Sequence, residues 1–240
     1  MRNRLIGIVM LGTLAGLVVI SMNPVNSKIH QLAFLGCLAA VWVGFTVLVW
    51  KQKVVRICSL VVPLFLVIPF ALPGGEIDAD ELREDYVKRM NEFEGTRYFW
   101  GGESSRGIDC SGLPRRALRD ALLAYGVKHF NGAAFRAYAE QWWYDASAKA
   151  LGQGYRDYTK PLGAAGSIKE MSYEGLVPGD LAVTDNEMHI LAYAGDGMWI
   201  QAAPEVGSVA TLHGRDDENL WFTIPVTMHR WALLSSGGNN

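Results

Sequence analysis

Gly107-Ile108-Asp109-Cys110-Ser111-Gly112-Leu113-Pro114 is the stretch from which the fold is read. Working forward, Leu113, Ala117, Leu118, Ala121, Leu122 and Tyr125 recur at helical spacing, with Arg115, Arg116, Arg119 and Asp120 on the other face. Pro114 suits a first turn, where no amide hydrogen is missed, and Gly126 suits a helix end. The spacing sets Cys110 at or just before a helix N-terminus. Free amides and aligned peptide dipoles there favour a thiolate. Gly107 and Gly112 permit close backbone approach or unusual dihedrals. Two readings of Cys110 stand at this point: a buried structural thiol or a nucleophile.

Downstream, a second helix is predicted over 133–150, capped by Asn131, with Trp142, Trp143 and Tyr144 as packing residues. Residues 153–175 are polar and Gly-containing and read as a surface loop. Pro178-Gly179-Asp180 then marks a turn, and the period changes to short β-like runs at 181–184, 189–194, 198–203, 208–212 and 221–225. Upstream, 78–93 reads as a polar, moderately amphipathic helix started by Asp78 or Asp80. Helices followed by an antiparallel meander predict an α+β domain over 76–240, ending in a loose tail at 237–240.

A cysteine nucleophile needs a base. His189 opens the apolar run 189–194, so a rigid strand would hold it. His129, His213 and His229 read as surface or cap residues. The register across Gly195-Asp196-Gly197 decides whether His189 has an orienting partner. A three-residue loop makes Leu191 face Gln201 and leaves His189 and Gln201 as diagonal neighbours on one face. A two-residue loop puts them on opposite faces unless a bulge compensates.

The first 75 residues differ physically from the rest. They hold six bases, Arg2, Arg4, Lys28, Lys51, Lys53 and Arg56, and no acid. The remainder holds the other 16 of 22 bases and all 24 acids, a net −8. An acidic domain argues against nucleic acid, whose phosphates require clustered Lys and Arg. Uncharged apolar runs at 5–22, 32–50 and 57–72 predict three transmembrane helices, the third near 56–73 and interrupted by Pro63 and Pro69. The bases before the first run and between the second and third place those ends in the cytoplasm. Three spans then deliver residue 75 onward to the outer side; two spans, without the third run, would leave the domain in the cytoplasm. Gly12 and Gly16 form a small-xxx-small pair through which the helices could self-associate. Cys37 and Cys58 lie within membrane runs, so the domain has one thiol and no internal disulfide. Neither GxxxxGK[ST], GxGxxG nor HExxH is present.

Tyr98-Phe99-Trp100-Gly101-Gly102, a short spacer and Asp109-Cys110-Ser111-Gly112-Leu113 resemble the active-site signature of the NlpC family of papain-like bacterial cell-wall cysteine peptidases. Pro178-Gly179-Asp180-Leu181, His189 and Gln201 resemble that family's next block, so the resemblance covers roughly residues 90–203. It implies a papain-like α+β fold, helices on an antiparallel sheet, with Cys110 as nucleophile and His189 as base. Gln201 takes the place of the third, orienting residue, where many members have His. Tyr98 matches a tyrosine that lines the oxyanion site. Asp109, Ser111 and Trp100 fall at the substrate pocket. The implied substrate is the peptide stem of peptidoglycan, often its γ-D-glutamyl–diamino acid bond, with no metal or organic cofactor. The implied setting is the bacterial inner membrane, with the catalytic domain facing the periplasm or exterior. Amidase, transpeptidase and lipid acyl hydrolase or transferase chemistry on the same framework remain alternatives, as does a non-catalytic membrane-held binding domain.

Overall fold

The structure, a computed structural model, describes residues 2–215 and 217–235; the tail at 237–240 lies outside them. Three apolar helices come first: α1 (Arg2–Met22), α2 (Lys28–Leu48) and α3 (Lys53–Ala71). Each is long and apolar enough to cross a membrane. α3 continues through Pro63 and Pro69 and starts at Lys53, so the third helix is longer than its apolar run. α1 and α2 lie close together: a Cβ on Gly44 would fall 2.6 Å from Met10 Cγ. Gly16 faces Cys37 of α2, and Gly12 faces open space.

The domain begins with α4 (Ala79–Asn91), whose N-cap Asp78 accepts from the amides of Asp80 and Glu81, both at 3.0 Å. A two-stranded ribbon, β1 (Glu103–Ser104) and β2 (Gly107–Ile108), precedes α5 (Gly112–His129). Gly126 does not end α5. The helix runs on to His129 and stops at Phe130, which takes the left-handed conformation. The predicted helix over 133–150 is two helices, α6 (Gly132–Trp143), capped by Asn131, and α7 (Ala148–Gly152), capped by Ser147.

Six antiparallel strands follow: β3 (Thr159–Ser167), β4 (Leu181–Thr184), β5 (Ile190–Gly195), β6 (Met198–Ala203), β7 (Ser208–His213) and β8 (Pro225–Trp231), in spatial order β3-β8-β4-β5-β6-β7. β3 falls in the stretch read as a surface loop. As an edge strand with mostly half-exposed residues, it carries no apolar alternation. The run at 221–225 is chiefly α8 (Leu220–Thr223), and the last strand begins only at Pro225. One sheet face packs Leu181, Val183, Ile190 and Ile200 on α4 and α5. The other packs Leu191, Tyr193, Trp199 and Met228 on Phe222 and Ile168. Burial on both faces is why the central strands read as continuous apolar runs.

Candidate active site

The hairpin between β5 and β6 sets the register on which the site depends. Its loop is two residues, Asp196 and Gly197, both at positive φ (51° and 77°), and Gly195 pairs with Met198. Read alone, that pairing would separate His189 from Gln201. The register then shifts: Tyr193 pairs with Trp199 and Ala192 with Ile200, so Ala194 is an extra residue in β5. This bulge restores the register of a three-residue loop. Continued one step, it sets Leu191 opposite Gln201. The His189 and Gln201 side chains meet, Nε2 to Oε1, at 2.7 Å. An amide oxygen can only accept, so this bond holds the proton on Nε2 and leaves Nδ1 as the basic nitrogen. Trp221 stacks on the imidazole at 4.1 Å between ring centres. Burial lowers the His189 pKa to about 4, against the opposing effects of Gln201 and Glu205.

Cys110 lies two residues before α5, as its spacing predicts. Asp109 builds this turn. One of its oxygens accepts from the Gly112 amide at 2.6 Å and the Ser111 hydroxyl at 3.1 Å; the other accepts from the Gly101 amide at 2.8 Å. Asp109, not Ser111, therefore caps the helix. Gly112 is needed for close approach, since a Cβ there would strike the Gly102 carbonyl. Gly107 packs as tightly on Phe99, 2.6 Å from a built Cβ to Phe99 Cβ. Neither has positive φ.

The Cys110 thiol stands against the start of β5. Its Sγ is 3.9 Å from the Met188 carbonyl, and the Ile190 amide points toward it. These groups flank His189 on either side. Among the described residues no hydrogen bond joins Sγ to the imidazole; the structure brings the thiol to the Met188 and Ile190 backbone beside His189, and the ring to Gln201. Burial, then the Asp109 charge, raises the Cys110 pKa to about 12, opposed by the Ile190, Ser111 and Cys110 amides. Thiol and imidazole are thus both neutral near pH 7. Tyr98 is half-buried, and burial, then Cys110 and Asp109, raises its pKa to about 12.

Cys110, Asp109, Ser111 and Trp100 line one cavity of about 340 Å³. Trp100 is its exposed rim, 75% accessible. The cavity also takes in residues with no sequence signal: Asn26, Glu103, Arg115, Asp145 and Glu187. Arg115 and Arg119 are buried, not on the outer face as the helical pattern suggested. Glu103 lies between them, 2.9 Å from Arg115 Nη2 and 2.8 Å from Arg119 Nη1. Of the other histidines, His129 is a half-exposed helix end 2.7 Å from Glu81. His229 is not a surface residue. It is buried in β8, 3.0 Å from the Thr227 hydroxyl, and burial lowers its pKa. Among the described residues no three His, Cys, Asp or Glu side chains converge as metal ligands.

The NlpC/P60 family model matches residues 95–221, more than half of the chain. The chain belongs to the NlpC/P60 family. Its papain-like α+β domain follows three apolar helices that are consistent with membrane spans. No curated protein matches the chain. Among solved structures, NlpC1 from Trichomonas vaginalis is 17% identical with a TM-score of 0.42, covering 65% of this chain and 45% of its own. The P60 domain of an antigen from M. avium subspecies paratuberculosis is 18% identical (TM-score 0.37), covering 63% and 96%. The peptidoglycan hydrolase RipB from Mycobacterium tuberculosis is 20% identical (TM-score 0.37), covering 62% and 65%. This NlpC/P60 chain spans less than half the length of the Trichomonas protein.

Proposed function

We propose that this NlpC/P60 protein is a membrane-anchored cysteine peptidase that hydrolyses amide bonds in peptidoglycan stem peptides. The γ-D-glutamyl–diamino acid bond is the first candidate. The observation that supports this best is the Ala194 bulge, which turns Gln201 onto His189 beside a cysteine at a helix N-terminus.

Neutral Cys110 and His189 favour general-base attack over a preformed ion pair. When substrate docks, Nδ1 takes the thiol proton as Sγ bonds to the scissile carbonyl carbon. The Cys110 amide and Tyr98 hydroxyl donate to the developing oxyanion. The C–N bond then breaks, and His189 gives its proton to the leaving amine. Water attacks the thioester, losing a proton to His189, which returns it to sulfur as the acid departs. Asp109 keeps the nucleophile turn in place, and Trp100 and Ser111 contact substrate.

Residues 1–75 form the anchor and 76–240 the catalytic domain. Lys51, Lys53 and Arg56 lie at the α2–α3 connection, at the opposite end of these helices from the domain. By the positive-inside rule this supports a domain on the outer side of a bacterial cytoplasmic membrane, within reach of the wall.

The test is mass spectrometry of muropeptides after purified wall is incubated with the full chain in detergent, beside Cys110→Ala. New fragments cut in the stem and absent with the variant are expected. Full activity in the variant refutes the mechanism.

A further inference from the structure

The α1–α2 connection is part of the catalytic cleft. Val25 pairs with Gly102 as a β-bridge, and the Glu103 amide donates to the Pro24 carbonyl at 2.8 Å. Asn26 Nδ2 donates to Glu103 Oε2 at 2.5 Å, and Gln31 of α2 donates to Asn26 Oδ1 at 3.1 Å. Asn26 is four residues past Met22, the last residue of α1, so it lies within about 14 Å of that helix end. The helices are therefore not a distant tether.

A second cavity, of about 450 Å³, lies between the membrane helices and the domain. Ile20 of α1 and Phe34 and Leu35 of α2 form its apolar wall, and Tyr138 and Trp142 of α6 face them. Asn26 and Glu103 line this groove and the Cys110 cavity alike, so the two meet at that hydrogen-bonded pair. The Cys110 side holds Asp109, Ser111, Asp145 and Glu187; the groove sets its apolar wall, level with the spans, beside polar His30, Gln31, Arg116 and Arg119.

From this two-part arrangement we infer that the substrate is a lipid-linked peptide, its lipid in the groove at Leu35 and its peptide amide at Cys110. The inference rests on the peptidase reading above and names that site's substrate class.

The test uses the full chain in lipid vesicles with two substrates. One is a polyprenyl-pyrophosphate-linked muramyl pentapeptide, the other the same muramyl pentapeptide without lipid. The wild-type KM is expected to be at least about tenfold lower for the lipid-linked form. Leu35→Trp fills the groove and should raise that KM about tenfold while leaving kcat/KM on the lipid-free form unchanged. Partitioning into the vesicle serves both proteins equally and does not produce this difference. Equal wild-type KM values, or a Leu35→Trp chain slowed alike on both substrates, would overturn the inference. Ile20→Trp is used if Leu35→Trp does not fold. If neither peptide is cut, the peptidase reading fails, and binding to the Cys110→Ala chain decides the substrate class separately. Tighter binding of the lipid-linked form that Leu35→Trp abolishes supports it, and equal binding overturns it.

Discussion

Replacing Glu103 with Gln should destabilise the domain sharply. The Glu103 side chain is 3% exposed and meets two guanidinium groups, Arg115 and Arg119, whose side chains are 3% and 6% exposed. It also accepts from Asn26 of the α1–α2 connection. Burial already pulls the Arg119 pKa down, Arg115 and Arg116 add to this, and Glu103 opposes it. The amide of Glu103→Gln would keep one acceptor but turn an NH₂ toward groups that only donate. Arg115 would retain Asp145, which is half exposed, and Arg119 would lose its carboxylate. Breaking a buried ion pair from one side costs about 3–5 kcal/mol, most of it from the charge left behind. For a chain of this size that is a fall in Tm of about 6–20 °C. The assay is thermal unfolding of the full chain in detergent, followed by tryptophan fluorescence. Asn26→Asp in the Glu103→Gln background returns a carboxylate beside the arginines and should recover part of the loss. A fall of less than about 1 kcal/mol, the size of an exposed pair, would refute the reasoning. So would a double variant no better than Glu103→Gln.

Gln201→Leu leaves the buried His189 Nε2–H without an acceptor, at a cost of about 1–3 kcal/mol, and frees the tautomer. The kcat on a muropeptide should fall at least about tenfold, and Gln201→His should retain most of it; a full-rate Leu variant would remove Gln201 from the mechanism. His189 titrates near 4 when folded and near 6.5 when unfolded, so between these values the unfolded chain binds a proton that the folded chain does not. Its contribution, about 3 kcal/mol, is complete above pH 6.5 and lost as pH falls toward 4, which urea unfolding across that range measures. The same depression places the acid limb of kcat/KM near pH 4, and a limb at 6.5 would show that the imidazole is solvated in the free enzyme. Gly112→Ala drives a methyl group into the Gly102 carbonyl and should displace the Cys110 turn. Lost activity with a fold intact by circular dichroism is expected, and unchanged kcat would show that the turn relaxes freely.

What the sequence made legible follows from how local its physics was. The Cys110 helix start, the Asp78 and Asn131 caps and the strands at 181–184 and 198–203 depend on neighbouring residues, and each lies where its spacing put it. β3 has no signature in the sequence, because an edge strand with partly exposed residues bears no apolar period. The arginines of α5 read as solvent-facing, because charge on a helix is ordinarily solvated. Only the fold brings Glu103 and the α1–α2 connection over that face.

The hairpin between β5 and β6 is the instructive case. Local chemistry names its turn: Asp196-Gly197 tolerates positive φ at both positions and makes a two-residue loop. Followed strictly, that turn sends Gln201 to the face opposite His189. The bulge at Ala194 reverses this, and nothing in Tyr193-Ala194-Gly195 announces it. What fixes it is tertiary. Tyr193 and Trp199 must share the face that packs on Tyr173, and Ile190, Ala192 and Ile200 the face that packs on the helices. Slipping one strand by a residue would swap these groups between two buried faces whose packing fits different side chains. The same burial that selects the register thus sets the imidazole against its amide partner.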